Sequence, residues 1–170
     1  MTAETYSRHG IRFDYPEEWE VQEQEQDNEL LITVSSPATS FWTLGLFFDS
    51  PSPEHVLRTV INALEDDYPE LDAYQSQEMI CGCESVARDL EFVCLEMLNG
   101  AWVRAVRMQG YTLLVMYQCT DYERQEYLPQ LEGITRSLTC DEQPSGDPAS
   151  LEFLPPDSDD SDLVDDDDEE

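Results

Sequence analysis

Short runs of alternating apolar and polar residues, separated by single turn signals, constrain the fold of this chain most strongly. Residues 11–15 alternate and predict a strand, Pro16 predicts a corner, and Trp19 begins a second strand. Residues 30–35 and 41–48 predict two more strands, and the second is apolar almost throughout, which favours a central position in a sheet. Strands that follow one another without a helix between them usually pair as antiparallel hairpins.

Two segments have helical spacing instead. Ser52 is predicted to cap a helix that begins at Pro53 and ends at Tyr68, and Thr120 or Asp121 is predicted to cap a second helix. The residues predicted to face the core are Val56, Leu57, Val60, Ile61 and Leu64 in the first helix and Tyr127, Leu128, Leu131, Ile134 and Leu138 in the second.

A second run of strands lies between the two helices. Residues 86–98 predict one long strand or a strand bent by a bulge, and Asn99-Gly100 predicts a hairpin turn because both residues tolerate positive φ. The resulting order is ββββ-α-ββββ-α. It predicts an α+β fold in which an antiparallel sheet of about six to eight strands is packed by two main helices.

Composition divides the chain into a domain at residues 1–140 and a tail at residues 141–170. The tail is rich in Pro, Ser and acids without periodicity, so it predicts disorder. Among the acids of the tail, Asp165, Asp166, Asp167 and Asp168 form a repulsive block that is a candidate for partner contacts. The tail is interpreted either as a solvating extension or as a segment that binds a basic partner.

The net charge restricts the kinds of partner. The chain has 39 acids, 8 bases and a formal net charge of -31, and all of the bases are Arg. Nucleic acids and anionic membranes are disfavoured, because contacts with phosphate need cations that this chain mostly lacks. A protein partner, particularly a basic one, is favoured. A general adaptation of the whole proteome toward acidic residues remains an alternative explanation of the charge.

The N-terminal residues have neither a basic segment nor an apolar run, and the chain has no apolar stretch long enough to span a membrane. The cysteines, an odd number, are Cys81, Cys83, Cys94, Cys119 and Cys140. Together these features predict a reducing, cytoplasmic setting with free thiols. Cys81 and Cys83 are interpreted as structural thiols, with a metal-binding or redox pair as the alternative.

The segment Phe13-Asp14-Tyr15-Pro16, followed by Trp19-Glu20-Val21, resembles the F-x-Y-P-x-x-W opening of PsbP-like domains. The segment Ile134-Thr135-Arg136-Ser137-Leu138 resembles the end of their closing helix. This fold is shared by the photosystem II extrinsic P subunit, the Mog-type Ran-binding import factors and many small bacterial proteins. The resemblance covers roughly residues 6–140. It implies that Phe13, Tyr15 and Trp19 anchor the core.

The resemblance implies a fold and leaves the activity open, because members of this group bind different partners. The targeting segment of PsbP-type members is absent, and no position matches a Ran-binding surface. Neither a photosynthetic nor a nuclear-transport role follows from the sequence.

No catalytic or cofactor-binding constellation emerges from the residues. With only His9 and His55, a nucleophile–histidine pair or triad cannot be assembled, and no glycine-rich loop could cradle phosphate. The chain is therefore predicted not to be an enzyme and to use no cofactor or metal.

Two further groups of residues have alternative interpretations. Arg88, Arg104 and Arg107 are interpreted as internal partners of nearby acids such as Asp89, with contact to an anionic partner as the alternative. A second group consists of large aromatic residues, which are interpreted as sheet core, with a binding groove as the alternative. This aromatic group comprises Trp19, Trp42, Trp102, Tyr111 and Tyr117.

The predicted function is that of a non-enzymatic, protein-binding module: an adaptor, assembly factor or chaperone-like protein. One alternative is a secretion-system accessory or immunity-type protein that binds a basic effector. Another is a domain that binds a small ligand in a cleft between the sheet and a helix.

Overall fold

The computed structural model of the protein describes residues 2–141. The predicted tail therefore lies outside the described residues apart from Asp141, and so does the candidate block Asp165 to Asp168.

Twelve strands and two helices make up the described part of the chain. The strands are β1 (Ala3–Arg8), β2 (Ile11–Pro16), β3 (Glu20–Gln26), β4 (Glu29–Ser35), β5 (Phe41–Phe47), β6 (Asp72–Ser76), β7 (Met79–Ile80), β8 (Cys83–Glu84), β9 (Val86–Cys94), β10 (Met97–Arg107), β11 (Thr112–Thr120) and β12 (Thr139–Cys140). The helices are α1 (Pro53–Asp67) and α2 (Arg124–Ser137).

The main sheet has seven antiparallel strands in the order β3-β4-β5-β11-β10-β9-β6. Strands β1, β2 and β12 form a smaller sheet, and β7 and β8 form a separate hairpin. The predicted α+β architecture, with two helices packed on an antiparallel sheet, is confirmed. Strand β1 was not predicted because Tyr6 is its only buried residue, so its sequence shows no apolar alternation.

The opening segment folds as a strand, a corner and a strand. Pro16 ends β2, and its carbonyl accepts a hydrogen bond from the Trp19 amide at 3.0 Å. Phe13 is fully buried and stacks on Tyr6, with ring centres 4.8 Å apart, and it also contacts Trp42. Phe13 and Trp19 are therefore buried core anchors, as predicted, whereas Tyr15 is half-buried against the same core.

Helix α1 begins as the sequence predicted. The Ser52 hydroxyl accepts a hydrogen bond from the His55 amide at 3.1 Å, and Pro53 occupies the first turn, where its missing N–H costs nothing. Val56 and Leu57 are buried in a core cluster with Leu90. Helix α1 thereby covers one face of β9, β10 and β11.

Helix α2 covers the opposite face, but its N-cap is Glu123, two or three residues later than predicted. Thr120 stays in β11, and its hydroxyl accepts a hydrogen bond from the Glu123 amide, so residues 121–123 form a turn before the helix. The indole of Trp42 donates to the Thr135 hydroxyl at 2.9 Å and ties the helix to the sheet. The predicted core residues Leu131, Ile134 and Leu138 are buried in this layer.

The prediction of a turn at Asn99-Gly100 is wrong. Both residues lie inside β10, and the chain reverses instead at Leu95-Glu96, between β9 and β10. Gly100 is required for a different reason: a Cβ atom there would lie 2.7 Å from the Trp102 indole, which packs over it. Residues 86–98 are therefore a strand, a turn and the start of the next strand, and not one long strand.

Candidate functional site

One part of the main sheet is left uncovered on the side that carries α2. Residues directly opposite each other in an antiparallel pair project to the same face. The register pairs Tyr74 with Asp89 and Val93 with Leu98. It also pairs Asp89 with Trp102, which packs against the core on the α2 side. We use the term open face for Asp72, Tyr74, Asp89, Glu91, Val93 and Leu98.

Large apolar side chains are unusually exposed on and beside the open face. Within residues 2–141, five of the well-exposed large apolar side chains lie here: Tyr74 (52%), Val93 (62%), Leu95 (84%), Leu98 (41%) and Tyr122 (83%). Leu95 is at the tip of the β9–β10 hairpin. Tyr122 follows Asp121, whose amide donates to the Leu98 carbonyl at 2.8 Å. Clustered exposed apolar surface is typical of interaction sites, whereas single exposed residues are not.

The part of the sheet that α2 covers ends at Trp102. The helix packs on β2, β5 and β11, and the Arg124 guanidinium at its start lies 5.3 Å from the centre of the Trp102 ring. Trp102 also stacks on Tyr117, with ring centres 5.4 Å apart. This aromatic and cationic contact forms the border between the covered sheet and the open face.

The tip of the β9–β10 hairpin has an unfavourable backbone conformation. Leu95 and Glu96 have φ of 53° and 68°, the left-handed region that a two-residue turn of this kind requires. Gly, Asn and Asp tolerate this region, whereas Leu and Glu are uncommon there. The turn is therefore formed by residues that its local conformation disfavours, and one of them is an exposed leucine.

Acidic side chains are interleaved with the apolar ones. Asp72 and Glu91 lie opposite each other, and Asp89 lies two residues before Glu91 on the same face. The carboxylate of Asp72, together with partial burial and Glu91, raises the pKa of the Tyr74 hydroxyl. A cleft of about 490 Å³ between the end of α1 and β9 adds the acids Asp67 and Glu70 at the edge.

The structure brings the three predicted arginines to different environments. Arg104 is only 4% exposed, and its guanidinium binds Glu78 at 2.6 Å and Asp89 at 2.8 Å, so its interpretation as an internal partner of acids is supported. Arg88 is half-buried and donates to the Ala87 carbonyl, whereas Arg107 is exposed at the end of β10. Contact of Arg88 or Arg107 with a partner stays a prediction.

The five cysteine side chains do not form a single cluster. Cys119 is buried, and Cys94 accepts a hydrogen bond from the Tyr68 hydroxyl at 3.3 Å. Cys81 faces Cys140, with 2.9 Å between the sulfur atoms, although Cys83 is its neighbour in sequence. In the part of the chain that the structure describes, no group of three or more His, Cys, Asp or Glu side chains is arranged to hold a metal ion.

Most of the predicted aromatic group belongs to the core. Trp42, Tyr117 and Trp19 are buried, which supports the core interpretation for these three. Trp102 and Tyr111 are half-buried against the same core.

A surface groove of about 480 Å³ runs between the β3–β4 turn and α1. It is lined by His55, by the acids Asp27, Glu29 and Asp49 and by several uncharged residues, and no cysteine borders it. Within residues 2–141, neither helix is long and apolar enough to cross a membrane.

Val93, Leu95 and Leu98 were not predicted as site residues because the turn was predicted four residues too late, at Asn99-Gly100 instead of Leu95-Glu96. The sequence has no local turn signal at Leu95-Glu96 that could have found them. Only the strand pairing places the reversal there, with Cys94 opposite Met97 on either side of Leu95-Glu96.

No family model matches the chain, and no curated protein matches it in sequence. Solved structures do share its architecture. LpqN, involved in cell envelope biogenesis of Mycobacterium tuberculosis, superposes with a TM-score of 0.51 at 14% identity, over 81% of this chain and 90% of that one. Cyanobacterial PsbP (CyanoP) from Synechocystis sp. PCC 6803 gives a TM-score of 0.50 at 13% identity, over 82% and 92%. At these identities the likeness concerns the fold alone, and the chain has a PsbP-like fold.

Proposed function

We propose that the protein is a non-enzymatic, cytoplasmic protein-binding module of the adaptor, assembly-factor or chaperone-like kind, and that the open face and the Leu95 tip bind its partner. The observation that supports this most strongly is the clustering of exposed apolar residues on one strip of sheet, at a hairpin tip and in the adjacent turn. Burying such surface against a partner releases water and is favourable by about 25 cal/mol per Å².

The charge of the open face selects the partner. Val93 and Leu98 present apolar surface, whereas Asp72 and Glu91 present carboxylates beside it. A segment that carries apolar residues flanked by Arg or Lys satisfies both features. Charge complementarity of this kind accelerates association and suppresses binding of acidic competitors.

A set of matched peptides tests the proposal. One amphipathic peptide carries Leu on one side and Arg on the other, and its two control peptides carry Gln or Glu in place of Arg. We expect the Arg peptide to bind the full chain most tightly and to weaken as salt is added, because salt screens exposed charge pairs. Equal affinity for the Arg and Glu peptides would contradict the proposed partner chemistry.

Two variants locate the binding surface. Val93→Ser and Leu98→Ser remove apolar surface from an exposed pair, so we expect a loss of affinity of roughly tenfold or more with little change in stability. The matched control is Phe48→Ser, which removes a side chain of similar exposure that lies outside the open face. Binding that is unchanged in the first two variants, or lost equally in the control, would overturn the assignment.

A further inference from the structure

A pair of cysteines far apart in sequence meets beside the end of α2. The Cys81 and Cys140 sulfur atoms are 2.9 Å apart, although the residues are separated by 59 positions. A disulfide has a sulfur–sulfur distance of roughly 2.05 Å, so the atoms need to approach by only about 0.9 Å to become bonded.

Both cysteines are held in place by backbone pairing. Cys81 and Gly82 form the turn that joins β7 to β8, with φ of 53° and 79°. Cys140 belongs to β12 and pairs with Ile11 of β2, and the amide of the following residue donates to the Gly10 carbonyl at 2.8 Å. The short distance between the sulfurs therefore joins two anchored segments.

The residue type at position 81 is not explained by the turn. The first position of such a two-residue turn favours Asn, Asp or Gly, because these residues tolerate positive φ. A cysteine there is conformationally disfavoured, so its side chain is the feature that needs an explanation. The side chain is directed to Cys140 and the Leu138 carbonyl.

A small oxidant can reach the pair. A cleft of about 340 Å³ is lined by both cysteines together with Met79, Thr135 and Arg136. Cys81 is half-buried and Cys140 is 6% exposed, so Cys81 is the more accessible of the two.

We propose that Cys81 and Cys140 are a modification site at which a reversible disulfide forms, joining the β7–β8 hairpin to the last strand of the domain. In a reducing compartment the pair stays as two thiols, and it closes when the supply of low-molecular-weight disulfide rises.

The exchange with oxidised glutathione balances in two steps. The Cys81 sulfur, after losing its proton, attacks one sulfur of the small disulfide and releases one molecule of reduced glutathione. The Cys140 sulfur then attacks the Cys81 sulfur of the mixed disulfide and releases the second. Two protein thiols lose two electrons and two protons, and one small disulfide is reduced to two thiols.

The first step is expected to be slow at neutral pH. The hydrogen bond with Cys140, together with burial, raises the pKa of the Cys81 thiol, so little thiolate is present. The rate of closure should therefore rise steadily with pH between neutral and mildly alkaline conditions.

The experiment treats the full chain with oxidised glutathione under native conditions and maps the disulfide by mass spectrometry of unreduced peptides. We expect a Cys81–Cys140 bond, reversal by dithiothreitol, and a rise in Tm of roughly 5–10 °C, because the bond closes a long loop of the unfolded chain. Cys83→Ala is the matched control, since it alters the same hairpin and should leave the bond intact.

Other outcomes would overturn the proposal. These are a bond between Cys81 and Cys83, glutathione adducts without an internal bond, or a Cys81–Cys140 bond that forms only in denaturant. The mapping uses the natural chain, so it does not depend on whether Cys81→Ser or Cys140→Ser folds. Where those variants fold, they should lose both the bond and the rise in Tm.

Discussion

The two hairpins on either side of Ser85 differ in the contacts that their turns make with the rest of the protein. The inner hairpin, β7–β8, turns at Cys81-Gly82 and packs against the body of the domain, with Ile80 buried in the core. The outer hairpin, β9–β10, turns at Leu95-Glu96 and projects an exposed tip. Each turn places a residue at positive φ that the conformation disfavours. The inner hairpin closes the fold, whereas the outer hairpin presents apolar surface to a partner.

The contact that holds the inner hairpin should have the largest effect on stability. Arg104 reaches from β10 to Glu78, whose carbonyl also accepts hydrogen bonds from the Ser85 amide and hydroxyl. Arg104→Ala leaves Glu78 without this partner and opens a cavity, so we expect a loss of about 3 kcal/mol in the free energy of unfolding, measured in urea.

Arg107→Ala is the control for this experiment, because Arg107 lies on the same strand and is exposed. Its effect should stay within about 0.5 kcal/mol. A similarly small effect of Arg104→Ala would mean that the inner hairpin is held by apolar packing alone.

A substitution at Gly100 tests the packing of Trp102 over this residue in the outer hairpin. A Cβ at this position would lie 2.7 Å from the Trp102 ring, which must then move, so Gly100→Ala should lower the free energy of unfolding by about 2 kcal/mol. Gly133→Ala is the matched control, because no atom lies within 4 Å of the added Cβ and the residue is inside α2. There we expect a gain of about 0.5–1 kcal/mol. If both variants gave the same sign, the packing of Trp102 over Gly100 would be refuted.

Replacing the tip residues should separate stability from binding. The double variant Leu95→Asn, Glu96→Gly supplies residues that favour positive φ, so we expect the free energy of unfolding to rise by about 1 kcal/mol. The affinity for the Arg-bearing peptide should fall, since the exposed leucine is lost. Thermal unfolding and peptide titration measure the two effects. Lower stability with unchanged binding would show that the tip serves the fold and not a partner.

The smallest effect concerns the acidity of the open face. The Asp72 carboxylate is the main cause that raises the pKa of Tyr74, so tyrosinate forms at higher pH than in a free tyrosine. Asp72→Asn should lower the pKa of Tyr74, as followed by NMR of the labelled ring. Asp14→Asn, on β2 of the smaller sheet, is the control and should leave this pKa unchanged. No response to Asp72→Asn would remove the evidence that the acids act together on this face.

The elements that could be predicted from the sequence are those specified by neighbouring residues. Ser52 and Pro53 identify a helix start by capping chemistry alone, and the alternation of Phe13 with its neighbours identifies β2. The predicted turn at Asn99-Gly100 was wrong because β10 pairs with β9 and β11 through both residues, and Trp102 fills the space above Gly100. Leu95-Glu96 has no local turn signal, so only the pairing of the two strands places the reversal there.

The open face was not predictable for a related reason. Alternating residues show that a strand has two faces, but they do not show which part of a sheet a helix will cover. Tyr74 and Val93 would have the same pattern if α2 extended over them. The burial of Arg104 depends likewise on Glu78, which reaches it from a different segment of the chain.

The most direct test of the central claim is a ¹⁵N-NMR titration of the full chain with the Arg-bearing amphipathic peptide, followed residue by residue. We predict that amide shifts concentrate in β6, the end of β9 and the Leu95 tip, while the amides of the inner hairpin at Cys81 and Gly82 stay unchanged. Shifts centred on the inner hairpin, or on the groove beside His55, would contradict it.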